Sequence, residues 1–162
     1  MNAYTVLQEH HKTLKGLVKK IGETPPTAPE RQDYLDQLLV ELDIHFRIED
    51  DLYYPALAAG AGSLVAVAHA EHRQVIDALS TLLHTPPAAP NYDDEWRTFA
   101  TTLEAHADEE ERDMIPFPPS VHVTDEQLAD LGAKMAARIE ALRNSTAHTL
   151  RVKGRKALLR AL

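Results

Sequence analysis

The stretch that decides the fold is LLVELDIHFRIEDDLYYPAL, residues 38–57. His45 and Glu49 are four residues apart, so on an α-helix both side chains point in the same direction. They lie on a stripe of leucines with three- and four-residue spacing, which is typical of a helix face that packs in a core. Residues 96–116, WRTFATTLEAHADEEERDMIP, repeat the arrangement with His106 and Glu110. Polar groups on such a stripe need partners because unpaired burial is costly, and metal ligation would supply them.

Proline clusters and one glycine-rich break divide the rest of the chain. The prolines fall mainly at 25–29, 86–90 and 116–119, and the sequence AAGAG occupies 58–62. Each interval between breaks shows helical periodicity and none shows strand alternation. The sequence therefore predicts an all-α protein whose four core helices, at about 2–21, 30–57, 63–84 and 92–115, form an up-down-up-down four-helix bundle.

A fifth helix is predicted at about 124–143, because Thr124 and Gln127 fit a capping box. The basic and weakly amphipathic tail that follows is expected to be partly ordered at most. We therefore expect residues 1–120 to form the bundle, and residues 121–162 to form a C-terminal helix and basic tail that pack on it or extend from it.

Composition narrows the possible functions. The 162 residues contain no cysteine, so any metal must be bound through nitrogen and oxygen. The N-terminal residues lack a signal-peptide pattern and the apolar stretches look too short to span a bilayer, so we expect a cytoplasmic protein without membrane contacts. Residues 134–162 carry a net charge of +7, which leaves −15 for the rest of the formal −8. That charge argues against nucleic-acid binding by the bundle, and a monomer or weak homodimer is expected.

Helices one and three each place a histidine on their apolar seams. His72 lies on the seam of helix three, whereas helix one offers either His10 or His11. The apolar offsets of helix three match those around His11 better, so His11 is preferred. The predicted metal ligands are thus His11, His45, Glu49, His72, His106 and Glu110. Four imidazoles and two carboxylates exceed the needs of one tetrahedral zinc and suit a pair of iron or manganese ions.

The remaining histidines and acids have simpler interpretations. His84, His122 and His148 fall at predicted helix ends or in loops and are expected to be exposed to solvent. In the acidic run at 108–111, we expect only Glu110 to point inward.

At these residues the chain resembles the hemerythrin-like family, the HHE cation-binding domains. The shared pattern is a histidine in helix one, HxxxE followed by Tyr-Pro in helix two, EH in helix three and HxxxE in helix four, over about residues 4–116. The whole chain resembles members from mycobacteria and related actinobacteria. The resemblance implies two iron ions with an oxo or hydroxo bridge. It also implies bridging carboxylates from Glu49 and Glu110, and terminal imidazoles from the four histidines of the predicted set.

The sequence departs from the oxygen-carrying members of that family, which have a second histidine on helix three. The neighbouring positions here are Ala68 and Ile76. The gap could be open, or filled by His69, Tyr53 or Tyr54. Ideal helix geometry favours Tyr53, but the restricted backbone before the following proline could turn Tyr54 inward.

The resulting functional prediction is a non-haem diiron protein that reacts with small oxygen species. Disproportionation of hydrogen peroxide, a catalase-like activity of the diiron centre assisted by Tyr54 or Tyr53, is the leading interpretation. The alternatives are binding or sensing of O2 or NO, or iron storage without turnover, so enzyme activity itself is left open. In each case the expected partners are small molecules: O2, H2O2 or NO.

Overall fold

The computed structural model describes residues 1–161, and the secondary structure in that range is helical throughout. The elements are α1 (Ala3–Gly22), α2 (Pro29–Ile48), a π-helical turn (Glu49–Tyr53), α3 (Tyr54–His84), α4 (Tyr92–Asp113), α5 (Asp125–Arg143) and α6 (Thr146–Ala161). The predicted all-α bundle with an additional C-terminal helix is confirmed.

The helices begin where the sequence supplies caps. The Asn2 side chain accepts a hydrogen bond from the Thr5 backbone N–H at 3.0 Å, which satisfies a free donor at the start of α1. Pro29 occupies the first turn of α2, where a missing N–H has no cost. The capping box predicted for Thr124 and Gln127 is present at the start of α5.

The connection between the second and third predicted helices differs from the prediction. The sequence suggested one helix to residue 57 and a loop at 58–62, whereas α3 begins at Tyr54 and passes through a kink at Ala61 (φ −148°, ψ 48°). Gly60 lies next to this kink, against the backbone of Ser120. A Cβ at position 60 would lie 2.6 Å from the Ser120 carbonyl carbon, so only glycine permits this approach.

The core consists of two apolar clusters with the inward-facing histidines between them. Leu14 and Val75 belong to one cluster, and Leu7 and Ala68 belong to the other. Along α1 and α3, the seam histidine therefore falls between residues of different clusters. This layering places polar groups in the middle of the bundle, shielded from water at both ends.

The C-terminal segment is more ordered than the sequence suggested. Helix α5 packs on α1 and α2, and α6 packs on α2 and α3. The predictions that the tail is partly ordered at most and that His148 is exposed are wrong. The side chain of His148 is fully buried, and its Nε2 lies 2.7 Å from Asp43 Oδ2. The apolar seam of α6 contains this histidine beside Val152, which is why it looked weak in the sequence.

One helical run is unusually apolar. Taken as continuous, Pro29–His84 contains a stretch long and apolar enough by length and composition to cross a membrane, with a mean hydropathy of 1.2. The expectation that apolar stretches are too short is therefore not met on composition alone. Core helices of soluble proteins satisfy the same test, and this run includes the fully buried His45 and Glu49.

Candidate metal centre

The six side chains predicted as metal ligands come together in the middle of the bundle. All six are buried, with at most 7% of the residue surface exposed. They form two groups that share both carboxylates: His11, His45, Glu49 and Glu110, and Glu49, His72, His106 and Glu110. Within each group the candidate donor atoms lie within 4.8 Å of one another. The arrangement has the form of two adjacent cation positions with two shared carboxylates.

Several polar atoms at this centre have no hydrogen-bond partner. They are Nε2 of His11, His45 and His106, Oε1 of Glu49 and Oε2 of Glu110. Buried polar atoms are nearly always hydrogen-bonded, so five such exceptions at one place need an explanation. Two of them, His45 Nε2 and Glu49 Oε1, lie 2.7 Å apart without hydrogen-bond geometry, as donor atoms that converge on a cation do. The residues present therefore fit a nitrogen- and oxygen-ligated metal pair.

Carboxylates contact two of the imidazoles at Nδ1, the ring nitrogen that faces away from the centre. Nδ1 of His11 lies 2.8 Å from Glu111 Oε1, and Nδ1 of His106 lies 2.8 Å from Glu71 Oε2. Each contact places the ring proton on Nδ1 and leaves Nε2 free to bind a cation. The acidic run at 108–111 is therefore less solvated than predicted, because Glu111 also contributes to the centre.

The structure separates the roles of the two adjacent histidines of α1. Both rings are buried, and His11, the preferred of the two in the sequence, is the one that belongs to the donor groups. His10 instead lies behind His45, with its Nδ1 3.1 Å from Nδ1 of that ligand. Its Nε2 lies 2.8 Å from Glu41 Oε2.

Of the three candidates for the gap, Tyr54 is the one whose hydroxyl reaches the predicted ligands. Its hydroxyl oxygen lies 2.8 Å from Glu110 Oε1, 3.1 Å from Glu49 Oε2 and 3.0 Å from His72 Nε2. The π turn causes this orientation. The Tyr54 N–H donates to the Glu49 carbonyl five residues earlier, so Tyr54 takes the position above Glu49 that Tyr53 would take on a regular α-helix.

The other two candidates for the gap lie elsewhere. Tyr53 is buried, and its hydroxyl donates to the Met114 carbonyl at 2.6 Å. His69 is half exposed, and its Nδ1 lies 3.5 Å from Asp50 Oδ1 at the protein surface. Neither side chain belongs to the two donor groups.

Without a metal, the two carboxylates of the centre have pKa values shifted in opposite directions. Burial opposes the ionisation of Glu49, but the imidazoles of His45 and His106 outweigh it and hold the pKa of Glu49 well below its ordinary value. Burial and then the charge of Glu49 raise the pKa of Glu110 to about 8. Burial, followed by both carboxylates, also raises the pKa of the Tyr54 hydroxyl far above its ordinary value. A bound cation would favour the ionised form of the whole group.

The pKa values of two of the imidazoles are also shifted in opposite directions. Burial lowers the pKa of His45 to about 3, which keeps its ring neutral and able to bind a cation. For His106, burial is outweighed by the neighbouring carboxylates, above all Glu110, and the pKa rises to about 12. The carboxylate oxygen nearest to His106 Nε2 is Glu110 Oε1, at 2.7 Å, so a metal bound through this nitrogen must displace the proton held between the two groups.

A solvent-open pocket of about 570 Å³ approaches the centre at His72. The ring of Phe46 stacks on His72 with centroids 3.9 Å apart and an interplanar angle of 20°. Charged side chains of both signs line the pocket, among them Asp50, Arg73 and Arg155. His72 is thus the predicted ligand that lies nearest to water on this side.

Sequence reasoning missed the residues behind the ligands. His10 was considered only as an alternative to its neighbour, and Glu71 and Glu111 were not assigned a role. A signal was present in two cases, because these glutamates directly adjoin predicted ligands in sequence. Glu41 lies four residues before His45 on the same helix, so their spacing also pointed to a shared face.

Comparison with known proteins identifies the class to which this fold and donor set belong. The family model of the hemerythrin HHE cation binding domain matches residues 2–117. The chain therefore belongs to the hemerythrin HHE cation-binding family, whose defining property is a metal-binding helical bundle.

Individual relatives match over the full length, including the segment beyond the family domain. The uncharacterized proteins Rv2633c of Mycobacterium tuberculosis and Mb2666c of Mycobacterium bovis are each 62% identical over 162 residues, covering 100% of both chains. The crystal structure of an HHE cation binding domain-containing protein from Mycobacterium kansasii, described as an Rv2633c homolog, is 64% identical. It aligns with a TM-score of 0.91 over 100% of this chain and 99% of that one.

Proposed function

We propose that this protein binds two iron ions between Glu49 and Glu110 and decomposes hydrogen peroxide to water and oxygen. The observation that carries the proposal is the pair of four-residue donor groups that share both carboxylates. Donors that are only nitrogen and oxygen suit iron or manganese, and two irons bound there would supply the two-electron exchange that peroxide disproportionation requires.

The two donor groups are unequal, which suggests where a small molecule binds. The His72 and His106 group includes the Tyr54 hydroxyl as a fifth oxygen or nitrogen neighbour. In the described residues no hydroxyl hydrogen-bonds to the rings of His11 and His45, whose Nδ1 atoms face Glu111 and His10. We therefore assign the position for an external ligand to the His11 and His45 side, instead of the helix-three gap suggested by the sequence.

The surroundings favour a very small substrate. The centre lies between two apolar clusters, and its ligands are almost completely buried. Disproportionation of two peroxide molecules transfers protons between oxygen atoms, and the Tyr54 hydroxyl is a proton donor at the shared carboxylates. We assign Tyr54 the role of binding and orienting a proton there. Tyr53 has no such role, since its hydroxyl donates to a backbone carbonyl.

Oxygen-electrode measurements at matched iron content test this function. The iron-containing protein should evolve oxygen from hydrogen peroxide without an organic co-substrate. His72→Ala should abolish the activity because one cation position loses a ligand. His122→Ala is the matched control, since His122 is exposed and belongs to neither donor group. His148 is unsuitable for this purpose because it is buried. Oxygen evolution no faster than that of free iron would exclude the enzymatic function.

A second function, reversible binding or sensing of O2 or NO, is favoured by one observation. His148 and Arg155 of α6 contact Asp43 of α2. The same helix α2 carries His45 and leads directly into Glu49. A change at the centre thus has a structural path to the C-terminal segment. If the protein binds O2 or NO reversibly by optical spectrum and evolves no oxygen from peroxide, this function replaces the enzymatic one. For either function we propose a cytoplasmic monomer or weak homodimer with small-molecule partners, without nucleic-acid or membrane binding. The remaining alternative, iron storage, would require more than two irons per chain.

A further inference from the structure

His45 differs from the other ligands in what supports its ring. His11 and His106 each have a carboxylate at Nδ1, whereas His45 has the imidazole of His10. His10 in turn contacts Glu41, at 2.8 Å from its Nε2. The carboxylate behind His45 therefore acts through an intervening ring.

Only one arrangement of protons lets this chain of groups support metal binding. The Nε2 atom of His45 lies 2.7 Å from Glu49 Oε1 at the centre, and it must be free of a proton to bind a cation. The His45 proton is then on Nδ1 and is donated to Nδ1 of His10. The proton of His10 must consequently be on Nε2, where Glu41 accepts it.

Glu41, the last of these hydrogen-bonded groups, is held by a residue outside the matched family domain. Arg143, on α5, donates two hydrogen bonds to Glu41, at 2.8 and 2.9 Å. The family domain ends at residue 117. A paired guanidinium holds the carboxylate in one orientation and keeps it an acceptor toward His10.

We propose that His10, Glu41 and Arg143 form a hydrogen-bonded relay that sets the metal-binding tautomer of His45, so that α5 supports the metal centre through Glu41 and His10. The inference rests on the metal pair of the proposed function and names positioning residues for it. The relay gives His45 the electron donation that Glu111 and Glu71 give to the other two rings. Loss of such outer partners typically lowers metal affinity roughly 10–100-fold.

Glu41→Gln is the decisive variant because it preserves the shape of the acceptor and removes its charge. Oε2 of Glu41 accepts from both His10 and Arg143, whereas Oε1 accepts from Arg143 alone. The amide NH2 group of the variant therefore meets an Arg143 donor in either orientation, and the side chain can no longer hold both partners. The acceptor that keeps the His10 proton on Nε2 is weakened, and the metal-binding tautomer of His45 loses its support.

Zinc is the probe for the test, since it is diamagnetic and redox-inactive. Competition with a chelator should show that Glu41→Gln binds Zn2+ roughly 10–100-fold more weakly than the wild type. In 15N-histidine NMR spectra of the zinc-bound protein, the wild type should show slowly exchanging ring N–H signals from His45 Nδ1 and His10 Nε2. The variant should lose or shift both signals. Wild-type affinity and unchanged ring signals in Glu41→Gln would overturn the relay.

Arg143→Met provides a second variant that is expected to fold, because Arg143 is partly exposed. It should weaken Zn2+ binding several-fold and shift the same ring signals. Arg138→Met is the matched control on α5, since Arg138 pairs at 3.6 Å with Asp51, which lies outside both donor groups. Equal behaviour of the two variants would overturn the role of α5. If the wild type itself fails to bind two Zn2+ ions, the metal pair fails; if it binds two and the variants match it, only the relay fails.

Discussion

Replacing Tyr54 by Phe should lower the stability of the metal-free protein, and the spectrum of the iron form tests how Tyr54 acts at the centre. The hydroxyl has three polar neighbours at 2.8–3.1 Å, two of them carboxylate oxygens. Tyr53→Phe is the matched control, because the adjacent residue is equally buried and its hydroxyl donates only to the Met114 carbonyl.

The hydrogen bonds in the structure set the expected loss of stability for each of the two variants. A hydrogen bond to a charged group contributes about 1.5–3 kcal/mol, so Tyr54→Phe should lower the free energy of unfolding by about that amount. At about 2–4 °C per kcal/mol for a chain of this length, the melting temperature should fall by about 3–12 °C. Tyr53→Phe removes a neutral hydrogen bond of about 0.5–1.5 kcal/mol and should cause a smaller fall.

Thermal unfolding of the metal-free variants measures these changes, and optical spectra of the iron forms measure ligation. As the proposed proton donor, Tyr54 stays a neutral phenol. A Tyr54 phenolate bound to iron would instead give the wild type a visible absorption band that Tyr54→Phe loses and Tyr53→Phe retains, and that band would replace the proton-donor role by a ligand role. The reasoning is refuted if the band disappears in Tyr53→Phe and persists in Tyr54→Phe, or if Tyr53→Phe is the more destabilised of the two.

Four further outcomes are expected. Glu49→Ala and Glu110→Ala should each lower the iron content from two per chain, measured by elemental analysis; two irons and an unchanged spectrum in both would contradict the bridging assignment. Iron removal should lower the melting temperature by several degrees, since buried carboxylates lose their counter-charge; an equally stable metal-free form would contradict it. Burial opposes the ionisation of Glu41, but hydrogen bonds from His10 and then Arg143 outweigh it and lower its pKa from 4.5 to about 2. The ionised Glu41 therefore stabilises the folded protein fully above pH 4.5, and this contribution is lost as the pH falls toward 2. Glu41→Gln should make the stability less dependent on pH in that window, as measured by acid unfolding. His148→Ala should cost about 1.5–3 kcal/mol in chemical denaturation by losing a charged hydrogen bond, against about zero for an exposed histidine.

Helical periodicity was sufficient to predict the bundle and the six side chains that meet at its centre. A histidine and a glutamate four residues apart point the same way on any regular α-helix, so spacing alone pairs His45 with Glu49 and His106 with Glu110. His72 followed from its place on a seam of apolar residues. These predictions depend on local geometry alone, which a single sequence contains.

The choice between Tyr53 and Tyr54 could not be made in the same way. It depends on a π turn, and a π turn differs from an α-helix by one residue in a hydrogen-bond ladder, without a distinctive residue pattern. The burial of His148 was also beyond the sequence, because it depends on the distant Asp43 of α2. Contacts between elements far apart in the chain decide such cases.

The π turn also affects how this kind of protein can change during evolution. A helix rotates by about 100° per residue, so one residue gained or lost between Glu49 and Pro55 changes which aromatic ring faces the centre. A lineage could therefore withdraw or supply a phenol without substituting any amino acid. In this segment, a single-residue insertion or deletion can alter the chemistry of a relative as much as a point mutation of a ligand.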